Sequence, residues 1–485
     1  MSTSNNMQPI GLLLIFGSYF VLLLIISWFI GRKSSSKSFF NGDRQSPWLV
    51  VAFGMVGATL SGVTFVSVPG EVGSSNFHYF QFVLGNIVGY VVIATLLLPY
   101  YYRKNIISIY SVLNEKMGKE GYLTTSGFFI ISKLIGAAFR LYLAALVLHI
   151  AITGPLNVSF ETTVLICLLL IWLYTVKSGI KMVVWSDTLQ TGVLLTAVVV
   201  AIVAIVNQLN EPAEIIVAQV KELKYVTIFE TNWYSPNNFF KQFIAGIFMT
   251  IALNGFDQDM VQKNLTCKNS NKARNNMLLF SGMYAITVFV FLILGALLYY
   301  YAAEKGIAIP EQSDQLFPQI ALNHLGGVVS ALFVLGISAA AFSSADSATT
   351  ALTTAFSIDF LNIESKKRSN QKWIRNGVHF GFSVLLFIII VVFYHLNDQS
   401  VVVSIFKAAA YTYGPILGVF LFSFFSRKIP FAKFILPICI ISPIFTWCIT
   451  IMSQYFFNDF QFGFELIVVN TAITYVLLSL FSKRH

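Results

Sequence analysis

Residues 47–70 read PWLVVAFGMVGATLSGVTFVSVPG, an apolar run that also carries Gly54, Gly57, Gly62 and Gly70, the hydroxyls of Thr59, Ser61, Thr64 and Ser67, and Pro69. A helix facing only lipid has no use for that mixture. Small residues in a span serve either close helix packing or an unwound stretch whose carbonyls turn toward a ligand. A second stretch, AAAFSSADSATT at 339–350, sets Ser343, Ser344, Asp346 and Ser347 within about one helical turn. Paired hydroxyls beside a carboxylate, facing the carbonyls of a broken helix, make a hard oxygen cage suited to a small dehydrated cation.

The rest of the chain fits a membrane setting. Of 485 residues, 56% are hydrophobic and 11% charged, against roughly 25% charged in a soluble domain; an ordinary soluble enzyme is excluded. Apolar runs long enough to span a bilayer lie at 10–30, 47–68, 79–101, 122–152, 158–176 and 183–206, then at 239–260, 277–301, 321–358, 374–396, 400–425, 431–453 and 462–481. The run at 10–30 follows MSTSNNMQP, which lacks the basic region of a signal peptide, and reads as a retained first span.

Thirteen spans put the ends on opposite sides. With the N-terminus outside, 24 of the 31 Lys and Arg residues fall on the cytoplasmic side, Lys263 among them, four fall outside and three lie within spans. That asymmetry sets the orientation and accounts for the net charge of +10 without nucleic acid. Cys167, Cys267, Cys439 and Cys448 show no zinc-binding spacing. The longest connection, Asn207 to Asn238, is too small for a soluble domain, so the work is done inside the membrane.

Ionised groups in mid-membrane cost about 2.5–3.5 kcal/mol each on insertion scales, so each is a functional candidate. They are Lys133 and Arg140 on the fourth span, Asp187 on the sixth, Asp346 on the ninth and Lys407 on the eleventh. Asp187 suits an ion ligand, a partner of Lys133, Arg140 or Lys407, or a helix cap. Arg140 lies seven residues from Lys133 on the same helix face and is able to hold a carboxylate bidentately, which Lys is not. Lys407 suits either a counter-charge to an aspartate or a solute contact. Asp257 and Asp259, in NGFDQDMVQK, read as a gate or a helix-end charge pair at the inner end of the seventh span rather than as a deep site.

Five motifs in order carry a family resemblance. They are Pro47-Trp48 with ATLSGVTF and Pro69; YTVKSGI with WSDTLQ (Tyr174, Gly179, Asp187, Gln190); DQDMVQK, with Lys263 where an Arg is usual; AAAFSSADS followed by Ser357-Ile358-Asp359; and Gly414-Pro415 with Gly418. Over about residues 10–425 the chain resembles the sodium/solute symporter superfamily, which includes the sodium/glucose, proline, pantothenate and bacterial sialic acid symporters, and its motifs sit nearest the sialic acid branch.

The resemblance implies an all-α integral membrane protein with a LeuT-like core. A leading helix at 10–30 would be followed by a first inverted repeat over 47–206, a second over 239–425 and two C-terminal helices over 431–481, all in one transporter domain. It implies a sodium site on the carbonyls of Gly57, Leu60 and Ala340 and the hydroxyls of Ser343 and Ser344. It implies a second cation site at Asp187, Ser343, Asp346 and Ser347, where Asp346 stands in place of an expected serine. The solute site maps onto Thr59, Ser61, Thr64 and Arg140, with Lys407 where the sugar-transporting branch has a glutamine.

The expectation is therefore a sodium-coupled symporter importing a small polar solute through the plasma membrane, with Na+ as coupling ion, no organic cofactor and no covalent chemistry. Two cations beside short hydroxyls favour an anionic solute such as a sialic acid, sugar acid or carboxylate. A neutral sugar is the alternative. A sodium channel or sensor on the same scaffold and an intramembrane hydrolase using Asp187 and Asp346 are the readings from other classes. A monomer suffices, and no protein partner is implied.

Overall fold

The computed structural model describes residues 8–31, 36–176, 179–223, 225–363, 368–396, 401–456 and 462–484, and it is helical almost throughout. The thirteen apolar runs resolve into nine long helices, two bent pairs and two short apolar helices. Counting each bent pair as one span, up to eleven spans are long and apolar enough to cross a bilayer among the described residues. The short helices, of 16 and 15 residues, fall below the roughly 20 that a perpendicular crossing needs.

In chain order, α1 (Pro9–Gly31) lies at the flank of the bundle. The stretch quoted above forms α2 (Trp48–Thr59) and α3 (Gly62–Ser75), and Trp48–Thr59 meets Thr64–Ser75 at 56°. Then come α4 (Tyr79–Lys104), α5 (Asn114–Leu148), α6 (Phe160–Thr175) and α7 (Ile180–Leu209). The connection at 207–238 contains a helix of its own, α8 (Ala213–Glu222).

The seventh apolar run is also broken. Its halves, α9 (Phe239–Gly255) and α10 (Gln258–Leu265), meet at 64°. The break follows Asn254-Gly255, and Asp257 caps α10 by accepting the Asp259 N–H at 2.8 Å. Next are α11 (Ser270–Lys305), the short α12 (Leu316–Asn323) and α13 (Gly327–Ala355). The chain ends with α14 (Arg368–Leu396), α15 (Val401–Phe425), α16 (Ala432–Phe456) and α17 (Leu466–Leu480). Two short antiparallel strands, β1 (Lys428–Pro430) and β2 (Ser482–Arg484), tie the end of the chain to the turn after α15.

Burial ranks these helices by role. In α13, 83% of the spanning window is enclosed, against 22% in the span on α14 and 28% in that on α16, so α13 is the axis and the other two face lipid. The small-residue sequence of α13 permits this, because Ala, Ser and Gly let neighbouring backbones approach closely. The same economy brings α2 against α7. A Cβ placed on Gly57 would stand 2.3 Å from Thr191 Oγ1, so only glycine fits, and the Gly57 N–H donates to that hydroxyl at 3.0 Å.

Candidate functional site

At the first break the backbone leaves the helical ladder. Leu60 takes φ −80°, ψ 80° and Ser61 takes φ −68°, ψ 170°. The Leu60 N–H still reaches the Val56 carbonyl at 2.8 Å, but the Ser61 N–H turns to the Thr59 carbonyl at 3.1 Å. The carbonyl of Gly57 then receives no backbone N–H among the described residues. Polar groups so released inside a membrane need another partner. The break abuts α13, since a Cβ on Gly62 would lie 3.6 Å from Ile337 Cγ1 and 3.8 Å from Ala341 Cβ.

On α13, the Ser344 hydroxyl donates to the Ala340 carbonyl at 3.2 Å, and the Ser343 hydroxyl donates to Asp187 Oδ1 at 2.5 Å. Thr191, one turn beyond Asp187, holds the Gly57 amide. The structure therefore brings the break, α7 and α13 to one place, with Gly57, Ala340, Ser343, Ser344 and Asp187 around it.

Asp187 is fully buried, but its cationic partner is none of the three weighed from the sequence. Lys263 Nζ stands 2.9 Å from Asp187 Oδ2 and 3.4 Å from Asp259 Oδ1. Lys263, at 1% exposed, is therefore not a cytoplasmic loop residue as its place in the sequence suggested. The half-helix α10 folds into the bundle and is buried along its whole length. Asp257 and Asp259 are corrected with it. Both are buried, and Lys133 Nζ lies 2.7 Å from Asp259 Oδ2 and 3.2 Å from Asp257 Oδ2, so they form a deep charge cluster rather than a helix-end pair.

Asp346 faces another way. Its Oδ2 accepts from Tyr174 OH at 2.9 Å and Ser186 Oγ at 3.1 Å, and its Oδ1 from Ser347 Oγ at 3.3 Å. Its bonded partners among the described residues are neutral hydroxyls, and it has no ion pair there. Buried nearby, the Gln190 side-chain amide lies beside the hydroxyls of Tyr19 and Tyr174.

The expected solute residues lie along the break and across from it. Among the described residues the buried Thr59 Oγ1 and Ser67 Oγ have no hydrogen-bond partner; Ser61 is buried and Thr64 half-buried. Arg140 is half-buried on α5, with no ion pair or hydrogen bond among the described residues, and it lies close enough to Tyr413 on α15 for their charges to interact. Tyr413 in turn donates to Asp257 Oδ2 at 2.6 Å. Helices α3, α5 and α15 touch one another around these groups. Lys407 lies on α15, but its side chain is outside the described residues.

Sequence reasoning gave no role to Lys263, Tyr413, Tyr174, Ser186 or Gln190. The i, i+4 spacing of Asp259 and Lys263 was the available signal for the first of these. Asp359, part of the fourth motif, serves elsewhere: it accepts from Ser108, Tyr122 and Ser126 at 3.0, 2.6 and 2.5 Å and ties the end of the central helix to α5 and the segment before it.

Comparison with known proteins follows the same line. The sequence model of the sodium:solute symporter family matches residues 39–431. The sodium/sialic acid symporter NanT of Aliivibrio fischeri is 24% identical over 413 residues, covering 83% of this chain and 80% of that protein. The human sodium/iodide cotransporter is 25% identical over 270 residues, covering 54% of this chain and 41% of that protein. A solved structure of a Na+-coupled sialic acid symporter in its substrate-bound outward-open state superposes with a TM-score of 0.82 at 18% identity, covering 98% of this chain and 99% of that one.

Proposed function

The chain belongs to the sodium:solute symporter family, and from that premise we propose that the solute it moves with sodium is a small organic acid, a sialic acid or sugar acid in the first instance. It is a multi-pass membrane transporter with the LeuT-like fold, not an enzyme, and sodium is its coupling ion.

Arg140 carries the reading of the solute. An arginine within a span, half-buried and with no carboxylate partner among the described residues, is costly unless another anion meets it. A solute carboxylate supplies that anion with two parallel hydrogen bonds. The open hydroxyls of Thr59, Ser61 and Thr64 suit the polar remainder of such a solute. The two relatives above, a sodium/sialic acid symporter and a sodium/iodide cotransporter, are also named for anions.

The sodium ion is placed on the carbonyls of Gly57, Leu60 and Ala340 and the hydroxyls of Ser343 and Ser344. A second cation, sodium or a proton, is placed at Asp187, Asp346 and Ser347. Charge supports both. Three buried carboxylates, Asp187, Asp257 and Asp259, share two buried ammonium groups, Lys133 and Lys263, and a fourth, Asp346, has only neutral hydroxyl partners among the described residues, which leaves carboxylates for a bound cation to offset. Each bent pair stands first in one of two repeats, 47–206 and 239–425. The N-terminus outside, the C-terminus in the cytoplasm, a plasma-membrane address and a working monomer complete the reading.

The experiment is a thermal-shift panel on purified protein, in sodium and in potassium, with N-acetylneuraminate, glucuronate, pyruvate, galactose and proline. The reading expects stabilisation by one of the acids in sodium alone, lost in Arg140→Gln. Stabilisation by galactose alone would transfer the chain to the neutral-sugar reading and give Arg140 a structural role.

A further inference from the structure

The buried charges alternate in sign along one continuous ladder. Ser343 donates to Asp187; Asp187 faces Lys263; Lys263 reaches on to Asp259; Asp259 faces Lys133; Lys133 lies 3.2 Å from both oxygens of Asp257; and Asp257 accepts from Tyr413. Its first rung lies at the proposed cation site, and its last lies beside Arg140, at the proposed solute site. Each of the five charged members is 7% exposed or less, so water and salt screen none of these contacts.

Stability does not explain the arrangement. Buried ion pairs lose hydration that their attraction barely offsets, and apolar residues of similar volume often hold a fold as well, whereas a register or switch role is the best-attested reason to keep them. The geometry suits a switch, because both lysines are shared unequally. Lys263 is 2.9 Å from one aspartate and 3.4 Å from the next, and Lys133 is 2.7 Å from one and 3.2 Å from the other. Small displacements reverse each preference. Asp257, Asp259 and Lys263 also sit together on one buried half-helix or its cap, so their shift moves α10 as a unit.

We infer that Lys263, Asp259 and Lys133 are positioning residues that transmit cation binding at Asp187 to the solute site at Arg140 and Tyr413. A cation on the Asp187 carboxylate weakens its hold on Lys263, which leans onto Asp259. Asp259, better neutralised, releases Lys133 toward Asp257. Asp257 then holds Tyr413 less tightly, and the tyrosine hydroxyl becomes free for the solute beside Arg140. The inference rests on the assignment of cation and solute ends made above, and by linkage the solute must tighten cation binding by the same factor.

Asp259→Asn tests it without leaving a lysine unpaired, since Lys263 keeps Asp187 and Lys133 keeps Asp257. The measurement is the affinity of purified protein for N-acetylneuraminate at low and at saturating sodium, and the ratio of the two is the coupling factor. The native ratio should lie in the roughly 5–150-fold range usual for coupled sites. Asp259→Asn should lower that ratio about tenfold while solute affinity at low sodium changes by no more than about twofold. Lys263→Arg, which keeps the charge and donor, should retain the native ratio. Tyr413→Phe, uncharged and well tolerated sterically, should lower the ratio as well and so decides the matter if Asp259→Asn does not fold. A native ratio kept in both Asp259→Asn and Tyr413→Phe, or in Tyr413→Phe alone where the asparagine variant is lost, overturns the ladder. A native protein whose affinity is the same in sodium and potassium overturns the functional reading beneath it instead.

Discussion

The Lys263 ammonium stands 2.9 Å from the Asp187 carboxylate inside the bundle, the lysine 1% exposed and the aspartate wholly enclosed. A tethered cation thus occupies one oxygen of the carboxylate whose other oxygen accepts from Ser343, beside the break in the first core helix. Any free cation that binds there must share Asp187 with Lys263. At the proposed second cation site, affinity is therefore set by a balance between a fixed and a mobile positive charge.

Ser343 bridges that balance and the broken helix. Ser343→Ala deletes a proposed hydroxyl ligand to sodium and a donor to Asp187, while removing little volume from a helix rich in alanine. We expect the protein to fold and its half-saturating sodium concentration to rise about tenfold or more, corresponding to the ~1.5–3 kcal/mol of a hydrogen bond to a charged group. A sodium titration of thermal stability measures it. An unchanged midpoint would remove Ser343 from the ion site.

Asp346 is bonded to three hydroxyls and to no cation among the described residues. Asp346→Asn keeps its shape and deletes its charge. The expected outcome is a lower apparent sodium affinity or a smaller Hill coefficient for sodium-driven uptake, with the fold intact. A superimposable sodium titration would make Asp346 a structural acceptor for Tyr174 and Ser186.

Arg140 should separate acids from neutral solutes. Arg140→Lys keeps the charge but loses the bidentate fork. Uptake of the acid should show KM raised by roughly 10-fold to 100-fold, matching ~1.5–3 kcal/mol for charged hydrogen bonds. The response to sodium alone should stay unchanged. If KM for the acid does not move, the carboxylate is held elsewhere.

Gly57 sets how closely α2 lies on α7. A Cβ 2.3 Å from Thr191 Oγ1 must push the helices apart, and overpacking of this kind costs about 1–3 kcal/mol. Gly57→Ala should lower the thermal midpoint and abolish the sodium-induced shift together, because the same displacement moves the Gly57 carbonyl. A normal sodium shift in this variant would detach that carbonyl from the ion site.

Much of this was legible in the sequence. Hydropathy located the nine long helices and both bent pairs, while two of its thirteen runs form only short helices, and glycines beside Thr59, Ser61 and Thr64 marked the first break. The second break was not read. The segment DQDMVQK is polar enough to end an apolar run, so α10 looked like the edge of the membrane, with Lys263 among the cytoplasmic charges. Its burial goes with the pairing of Lys133 and Lys263 with three aspartates, groups that come from α5, α7 and the capped α10, far apart in the chain. Such pairing is a three-dimensional fact that no local window contains. The Asn254-Gly255 pair before a capping Asp257 was the one local sign that the helix stops and restarts.

The most direct test of sodium-coupled import of an organic acid is uptake of labelled N-acetylneuraminate into proteoliposomes holding the purified protein. An inward sodium gradient is imposed, then an equal potassium gradient. Transient accumulation above equilibrium is expected in sodium only, abolished by collapsing the gradient and by Arg140→Gln. Equal uptake under both gradients would contradict sodium coupling, and sodium-driven accumulation that survives Arg140→Gln would contradict the acid-binding role on which the choice of solute rests.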